Sequence, residues 1–358
     1  MKIAVLGSGD GAHAVAFEWA SAGHDVYIFD FPPRAKTILD IEAAGGIYAV
    51  GMMDGFQKIA YAGCDLEKTL TGADIVFLVG SVDCVEPYGR ACSPFITDGQ
   101  IFVVLPSSCM GALSFKNALG LHVSDNRIIV AETSTLPYTA RLVGPAKVCV
   151  FHRLPEGYKV AAIPQSVSKE IYEKLKPVFT GIELAESVFH TTLQNGSPIC
   201  QPVITTLNAA LIERTNGDFF FFKDGVTPAV GNIMRILDKE RMAIGQAMGL
   251  VIENDVELGV RQEYLSCADY TLGYRNSASF DGIIAQSSLD YRFYNEDLGY
   301  AMVFWIDLAN KLNVAVPMMK ALVEIVSGIM MRDYMHEAPR TLEKLGLGSY
   351  TIEELKAL

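Results

Sequence analysis

The chain has 358 residues, 50% of them hydrophobic, and a formal net charge of −12 at pH 7. This length predicts two domains, each with a sizeable core. Nucleic acids and anionic membranes bind basic surfaces, so the acidic balance argues against both as partners. It does not argue against a small anionic substrate, because a single arginine can bind a carboxylate.

The cysteines and the N-terminus indicate a protein of the reducing cytoplasm. The seven cysteines form no CxxC pair, and no Cys/His spacing is typical of zinc, so we predict mostly buried free thiols and no metal. The N-terminus has no signal-peptide pattern. No segment has the roughly 18 uncharged apolar residues of a membrane span.

The first thirty residues have the order of a dinucleotide-binding βαβ unit. An apolar strand, residues 3–6, is followed by a glycine-rich loop, a helix over 14–22, and a second strand over 26–29 that ends at Asp30. The loop residues are Gly7, Ser8, Gly9, Asp10, Gly11 and Ala12. The alternative is an ordinary turn that binds no nucleotide, in which glycines are needed only because larger residues would clash.

Each loop position has a predicted role in binding the cofactor. Gly7 permits the tight turn, Gly9 lets the backbone approach the pyrophosphate, and Ala12 lets the helix pack close to the strand. Asp30 is placed to accept hydrogen bonds from the ribose hydroxyls, which favours NAD(H) because a carboxylate repels a 2′-phosphate. Arg34 could contact such a phosphate, so NADP(H) stays open, or it could be a solvated charge.

Further apolar runs predict a parallel sheet covered on both faces. They span residues 75–79, 101–105 and 128–131, and two further runs, 147–152 and 159–163, could add edge strands. Ligands bind beyond the carboxyl ends of such strands. The residues that follow those ends and rim one crevice are Asp30, Gly80, Ser81, Pro106, Ser107, Ser108, Glu132 and Thr133.

Helical periodicity dominates after about residue 185. The predicted helices span residues 190–214, 230–248, 256–263, 297–312 and 317–330. The fold class is therefore α/β, a doubly wound Rossmann domain over 1–185 followed by a mostly α-helical domain over 186–358. The run of four phenylalanines from Phe219 is interpreted as core or interface packing, with a substrate-facing wall as the alternative.

His190 is the candidate proton donor and acceptor, because imidazole exchanges protons near neutral pH. It opens a polar run, residues 190–197, inside an otherwise apolar helix, where Pro198 can loosen the backbone. The alternative is a histidine satisfied by local hydrogen bonds. Arg292, among aromatic residues, suits bidentate carboxylate binding, and Asp297 could orient His190. A surface loop with ordinary charges is the alternative for this second cluster.

These motifs resemble the octopine/nopaline (opine) dehydrogenase family, and within it the bacterial N-(1-D-carboxyethyl)-L-norvaline dehydrogenases. The resemblance runs nearly end to end. It rests on the glycine loop, residues 132–134, 190–195, 207–210, 225–231 and 238–241, Arg292 and Asp297 at their family spacing, and residues 340–347. The segment from Ile47 to Lys58 departs from the family pattern.

The resemblance implies a Rossmann domain, a helical domain and a substrate cleft between them. It implies NAD(P)H-dependent reductive condensation of an L-amino acid with a 2-oxo acid, through an imine, to a secondary amine dicarboxylate. It assigns His190 as catalytic acid/base, Asp297 as its partner, Arg292 as the carboxylate anchor and Thr133 as a neighbour of the substrate carboxylate. A homodimer is a further expectation. The alternatives are a ketopantoate-type 2-oxo-acid reductase and a non-catalytic dinucleotide sensor.

Overall fold

The apolar runs of the first half form neighbouring, almost completely buried strands. A computed structural model describes residues 1–358. Its strands are β1 (Lys2–Leu6), β2 (Asp25–Phe29), β3 (Gly46–Gly51), β4 (Gly55–Lys58), β5 (Tyr61–Gly63), β6 (Ile75–Val79), β7 (Ile101–Leu105), β8 (Ile129–Thr133), β9 (Tyr138–Gly144), β10 (Lys147–Arg153), β11 (Tyr158–Ile163) and β12 (Ile182–Leu184).

Eight of these strands form the main sheet, in the order β12-β11-β8-β7-β6-β1-β2-β5. Every residue of β6 and β7 is buried, as expected for strands covered on both faces. Six neighbouring strands of this sheet, β5, β2, β1, β6, β7 and β8, run parallel to one another. This confirms the predicted parallel sheet. Their carboxyl ends therefore share one edge.

The two predicted edge strands have different outcomes. β11 is in the main sheet and pairs antiparallel with β8, but β12 lies outside it, so β11 is not an edge. β10 belongs to a separate four-stranded sheet, in the order β4-β3-β10-β9. The departing segment from Ile47 to Lys58 forms most of β3 and all of β4 in this second sheet.

The helices of the first half connect and cover these strands. They are α1 (Asp10–Ser21), α2 (Ala35–Ala44), α3 (Leu66–Leu70), α4 (Val85–Cys92), α5 (Gly111–Ala118), α6 (Ser168–Leu175) and α7 (Val188–Leu193). Short 3₁₀ turns cover Pro32–Arg34, Val82–Cys84, Ser93–Phe95 and Gln165–Val167. The second sheet packs against α1, the helix that follows the glycine loop.

The second half is helical, as predicted. Its helices are α8 (Ser197–Leu207), α9 (Ala209–Thr215), α10 (Pro228–Met248), α11 (Asp255–Arg261), α12 (Leu272–Arg275), a π-helical segment (Phe293–Met302), α13 (Val303–Leu312), α14 (Pro317–Met330), α15 (Tyr334–Glu337) and α16 (Ile352–Lys356). The chain divides into two compact units, Met1–Thr191 and Thr192–Leu358. No helix has the length and apolar content needed to cross a bilayer.

The helix predicted over 190–214 is three helices in the structure. Pro198 stands in the first turn of α8, where its missing N–H is harmless, but it cannot continue a helix from α7. Asn208 breaks the segment again with a φ of −116°. Three of the four phenylalanines from Phe219 are buried in the second unit, whereas Phe220 is 38% exposed. The Phe222 ring stacks on Phe280 at 4.2 Å.

Candidate active site

The glycine loop has the geometry of a phosphate-binding turn. Gly7 has a φ of +114°, and a Cβ there would lie 2.2 Å from the carbonyl oxygen of Val79, so only glycine fits. Gly9 precedes the first turn of α1, with no atom within 4 Å of the position its Cβ would occupy and no side chain capping the helix. This open space beside unpaired helix N–H groups fits a dinucleotide pyrophosphate.

Asp10 and Gly11 contact β9 and the residues just before it. The Asp10 carboxylate accepts the Leu142 backbone N–H at 2.8 Å and lies 3.6 Å from the Arg141 guanidinium. A Cβ on Gly11 would come within 2.8 Å of the Leu136 side chain. These two loop residues therefore also hold the second sheet against α1, a role that the sequence did not suggest.

Asp30 is enclosed by donors from the protein itself. Its Oδ2 accepts the Ser8 hydroxyl at 2.6 Å, and its Oδ1 accepts the Tyr88 hydroxyl at 2.8 Å and the Phe31 N–H at 2.8 Å. Asp30 is only 1% exposed. Burial and the negative charge of Asp30 raise the pKa of Tyr88, while nearby Arg34 opposes this, so Tyr88 is a neutral donor.

Arg34, Gly80 and Ser81 lie beyond the ends of β2 and β6. Arg34 is exposed and directly precedes α2. Gly80 packs close to Cys84, because a Cβ on Gly80 would lie 3.4 Å from the Cys84 Cβ. The Ser81 hydroxyl donates to the Asp83 carboxylate and lies 3.3 Å from the Cys84 thiol.

The end of β8 presents Thr133 and the buried Glu132. The Thr133 hydroxyl donates to the Thr135 carbonyl at 3.0 Å, and the residue is fully buried. Glu132 accepts the Ala112 N–H at 2.7 Å, at the start of α5, and also the Thr191 hydroxyl. Glu132 thus joins the start of α5 to α7, the helix that carries His190.

His190 lies in α7 and is 5% exposed. Its Nδ1 lies 3.7 Å from the Glu186 carboxylate and 3.5 Å from the Glu186 backbone N–H. The backbone N–H of His190 donates to the Ser187 carbonyl at 3.0 Å. The His190 Nδ1 therefore lies close to both a donor and an acceptor of Glu186.

Arg292 and Asp297 lie at and within the π-helical segment of the second unit. Arg292 is exposed, and its guanidinium carbon lies 5.8 Å from the centre of the Phe293 ring. Asp297 is 7% exposed, and its Oδ2 is buried without a hydrogen-bond partner. Burial raises the pKa of Asp297 to about 7, against the opposing charge of Arg292. π-Helical turns are frequent at functional sites.

A buried polar network in the second unit escaped the sequence analysis. Asp238 and Arg241 form an ion pair with both side chains fully buried. Asp238 also accepts the Tyr270 hydroxyl at 2.5 Å and the Asp255 N–H at 2.8 Å. Arg241 donates to the Leu193 carbonyl. The sequence could have predicted this ion pair, because Asp238 and Arg241, three residues apart, fall on the apolar face of α10, where a buried charge needs a partner.

The geometry thus defines a class: an α/β unit with a dinucleotide-binding loop, followed by a helical unit that carries a buried acid and an exposed arginine. Comparison with known proteins shows which family the chain resembles. The model of the NAD/NADP octopine/nopaline dehydrogenase alpha-helical domain matches residues 184–330. An opine dehydrogenase of Arthrobacter sp. (strain 1C) is 28% identical over 355 residues, 99% of this chain and 97% of the relative.

Solved structures show the same fold. Octopine dehydrogenase in complex with NADH and agmatine superposes with a TM-score of 0.81 at 17% identity, over 100% of this chain and 98% of that one. NADP⁺-bound yersinopine dehydrogenase gives a TM-score of 0.75 at 14% identity, with coverage of 100% and 98%. The chain is similar over its whole length to an opine dehydrogenase, and its second half matches the octopine/nopaline dehydrogenase model, which confirms the resemblance and the predicted fold class.

Proposed function

We propose that this protein is an opine dehydrogenase, which condenses an L-amino acid with a 2-oxo acid such as pyruvate and reduces the product with NAD(P)H. The observation that carries the proposal is the match to an opine dehydrogenase over 99% of the chain. In this proposal residues 1–185 bind the nucleotide and residues 186–358 bind the substrates.

The reaction requires a carboxylate anchor and a group that moves protons. We assign the anchor to Arg292, whose guanidinium is exposed beside an aromatic ring and can bind the oxo-acid carboxylate with two hydrogen bonds. Thr133 is assigned to the neighbourhood of the substrate carboxylate, and its hydroxyl oxygen can still accept a hydrogen bond while donating to Thr135.

His190 is assigned as the acid/base. Neutral His190 takes a proton from the substrate ammonium, which frees the amine to attack the oxo-acid carbonyl. The imidazolium then returns the proton as the carbinolamine loses water, giving the iminium. The cofactor, when bound, would supply the hydride that reduces this iminium to the secondary amine. Asp297, buried and close to neutral in pKa, is assigned to orient and stabilise the imidazolium.

For the cofactor, Gly7, Ser8, Gly9, Asp10, Gly11 and Ala12 are proposed to contact the pyrophosphate side, and Gly80 and Ser81 the edge beyond β6. The negative charge of Asp30 supports NAD(H) as the favoured cofactor, with NADP(H) as the second. The family description names both.

The test is a matrix of NADH or NADPH with pyruvate, with and without a panel of L-amino acids, followed by loss of reduced-nicotinamide absorbance. We expect oxidation that depends on both substrates and a secondary amine product by mass spectrometry. Oxidation that ignores the amine would instead identify a ketopantoate-type reductase, and cofactor binding without turnover across the panel would indicate a sensor. Light scattering tests the predicted homodimer.

A further inference from the structure

Two glutamine side chains of the second unit have a buried amide oxygen without a hydrogen-bond partner. They are Gln201, in α8, and Gln286, in the segment before the π-helical turns. Both side chains are half-buried, so a small molecule can approach them from solvent. Buried acceptors in folded proteins are almost always hydrogen-bonded, so two unpaired amide oxygens call for a ligand that donates to them.

The two glutamine amides lie on the same side of α8. Gln201 and Thr205 are four residues apart in this helix and therefore occupy one face of it. The Gln286 amide nitrogen donates to the hydroxyl oxygen of Thr205, which is fully buried, at 3.1 Å. Turning the Gln286 amide over would make Thr205 the donor and leave the amide nitrogen unpaired. In either orientation one polar atom of Gln286 is available to a ligand.

The backbone around Gln286 is held in place by its neighbours. The N–H of Ala285 donates to the Phe219 carbonyl at 3.0 Å. The chain also passes so close to Gly217 that a Cβ there would lie 2.5 Å from the Gln286 carbonyl oxygen. A side chain whose backbone is fixed in this way can bind a ligand without first having to be ordered.

This face of α8 lies near the residues assigned to catalysis in the second unit. Burial raises the pKa of the Cys200 thiol, and nearby carboxylates, Asp297 among them, add to this rise. Cys200 directly precedes Gln201, so Asp297 acts on the same turn of α8. The π-helical segment that carries Asp297 also contacts α8, because the Tyr294 and Thr206 hydroxyls lie 3.1 Å apart.

We propose that Gln201 and Gln286 bind the side chain of the amino-acid substrate, and that this side chain is an uncharged carboxamide, as in glutamine or asparagine. A carboxamide carries both N–H donors and an acceptor, so it can pair with both glutamine amides. An apolar side chain would leave both amide oxygens unpaired. A cationic side chain would need a buried counter-charge, which neither glutamine supplies. The inference rests on the proposed function and adds the class of amino acid.

Matched substrate pairs test this with the wild-type protein. L-Glutamine and L-methionine have the same chain length, and L-asparagine and L-leucine have nearly the same shape, but only the first of each pair carries an amide. We measure kcat/KM for each with saturating pyruvate and reduced cofactor. For at least one pair, the carboxamide should exceed its apolar partner by about tenfold or more, because a site built to hydrogen-bond a side chain rejects an analogue that lacks the polar group.

Two variants assign the preference to these residues. Gln201→Met and Gln286→Met each keep the volume of the side chain and remove the amide. Each should lower kcat/KM for the preferred carboxamide by about ten- to hundredfold and change that for its apolar partner by less than about threefold. Gln246→Met, at an exposed position of α10, is the matched control and should change neither value. Circular dichroism confirms that each variant is folded.

The proposal is overturned if neither carboxamide exceeds its apolar partner by about tenfold, or if norvaline or arginine is used as well as the better carboxamide. Equal losses for carboxamide and apolar substrates in both glutamine variants also overturn it. Amine-dependent oxidation that favours an apolar or cationic amino acid refutes this inference and leaves the proposed function standing. No amine-dependent oxidation with any amino acid refutes the proposed function as well.

Discussion

Replacing Asp297 with asparagine should raise the free energy of unfolding above neutral pH. The same substitution should remove most of the catalytic turnover. Asp297 is 7% exposed, one of its carboxylate oxygens has no hydrogen-bond partner, and burial raises its pKa to about 7. A carboxylate in that position is costly to ionise. Its retention therefore needs a functional reason, which the proposed partnership with His190 supplies.

The magnitude follows from linkage. A pKa of about 7 for Asp297, against the ordinary 3.8, lowers the free energy of unfolding above pH 7 by about 4 kcal/mol at most. Because the folded-state pKa is the higher one, the folded protein holds its proton between pH 3.8 and about 7 while the unfolded chain releases it. Wild-type stability should therefore fall across that window and stay low above it, whereas Asp297→Asn removes this contribution.

The assay is urea unfolding of both proteins from pH 5 to pH 9, without substrates. The stability difference should grow toward high pH in favour of Asp297→Asn, while turnover of the variant falls by about 10²–10⁴-fold. Glu324→Gln, at an exposed carboxylate of α14, is the control and should change stability by less than about 0.5 kcal/mol at any pH. Parallel pH profiles for wild type and Asp297→Asn would refute the argument.

Three other substitutions test separate parts of the proposal. His190→Ala should keep NADH affinity, measured by fluorescence titration, while turnover falls by about 10²–10⁴-fold; near-normal turnover removes His190 from the mechanism. Arg292→Lys keeps the positive charge but cannot form two parallel hydrogen bonds to a carboxylate, so kcat/KM for the oxo acid should fall by about ten- to hundredfold with cofactor affinity unchanged. An equal loss of affinity for the cofactor contradicts the assignment. Asp238→Leu leaves Arg241 buried without its ion-pair partner and should destabilise the fold by about 3–5 kcal/mol in urea unfolding, whereas a loss below about 1 kcal/mol would argue against the buried pair.

The sequence predicted those features that are set by local pattern. Continuous apolar runs located β1, β6 and β7, because this signal acts over a few residues. The glycine loop indicated that a helix follows β1, but α1 begins at Asp10, four residues before the predicted start. Features set by contacts between distant residues were not predictable. Tyr88 stands in an ordinary amphipathic helix, and only the folded chain brings its hydroxyl to Asp30, 58 residues away. The second sheet likewise depends on pairing β3 with β10 across about a hundred residues.

The polar run after His190 illustrates why sequence signals for catalysis and for architecture overlap. Thr191 donates to Glu132, the Gln194 amide pairs with the Glu253 backbone at 3.0 and 3.1 Å, and Gly196 has no room for a Cβ because the Asp255 carboxylate would lie 1.8 Å from it. Thr191 and Gln194 are polar because each satisfies a hydrogen-bonding group of its own unit. The oddness of the run therefore reflects the packing around α7 more than chemistry. His190 stays the catalytic candidate of that run because imidazole is its only group that exchanges protons near neutral pH.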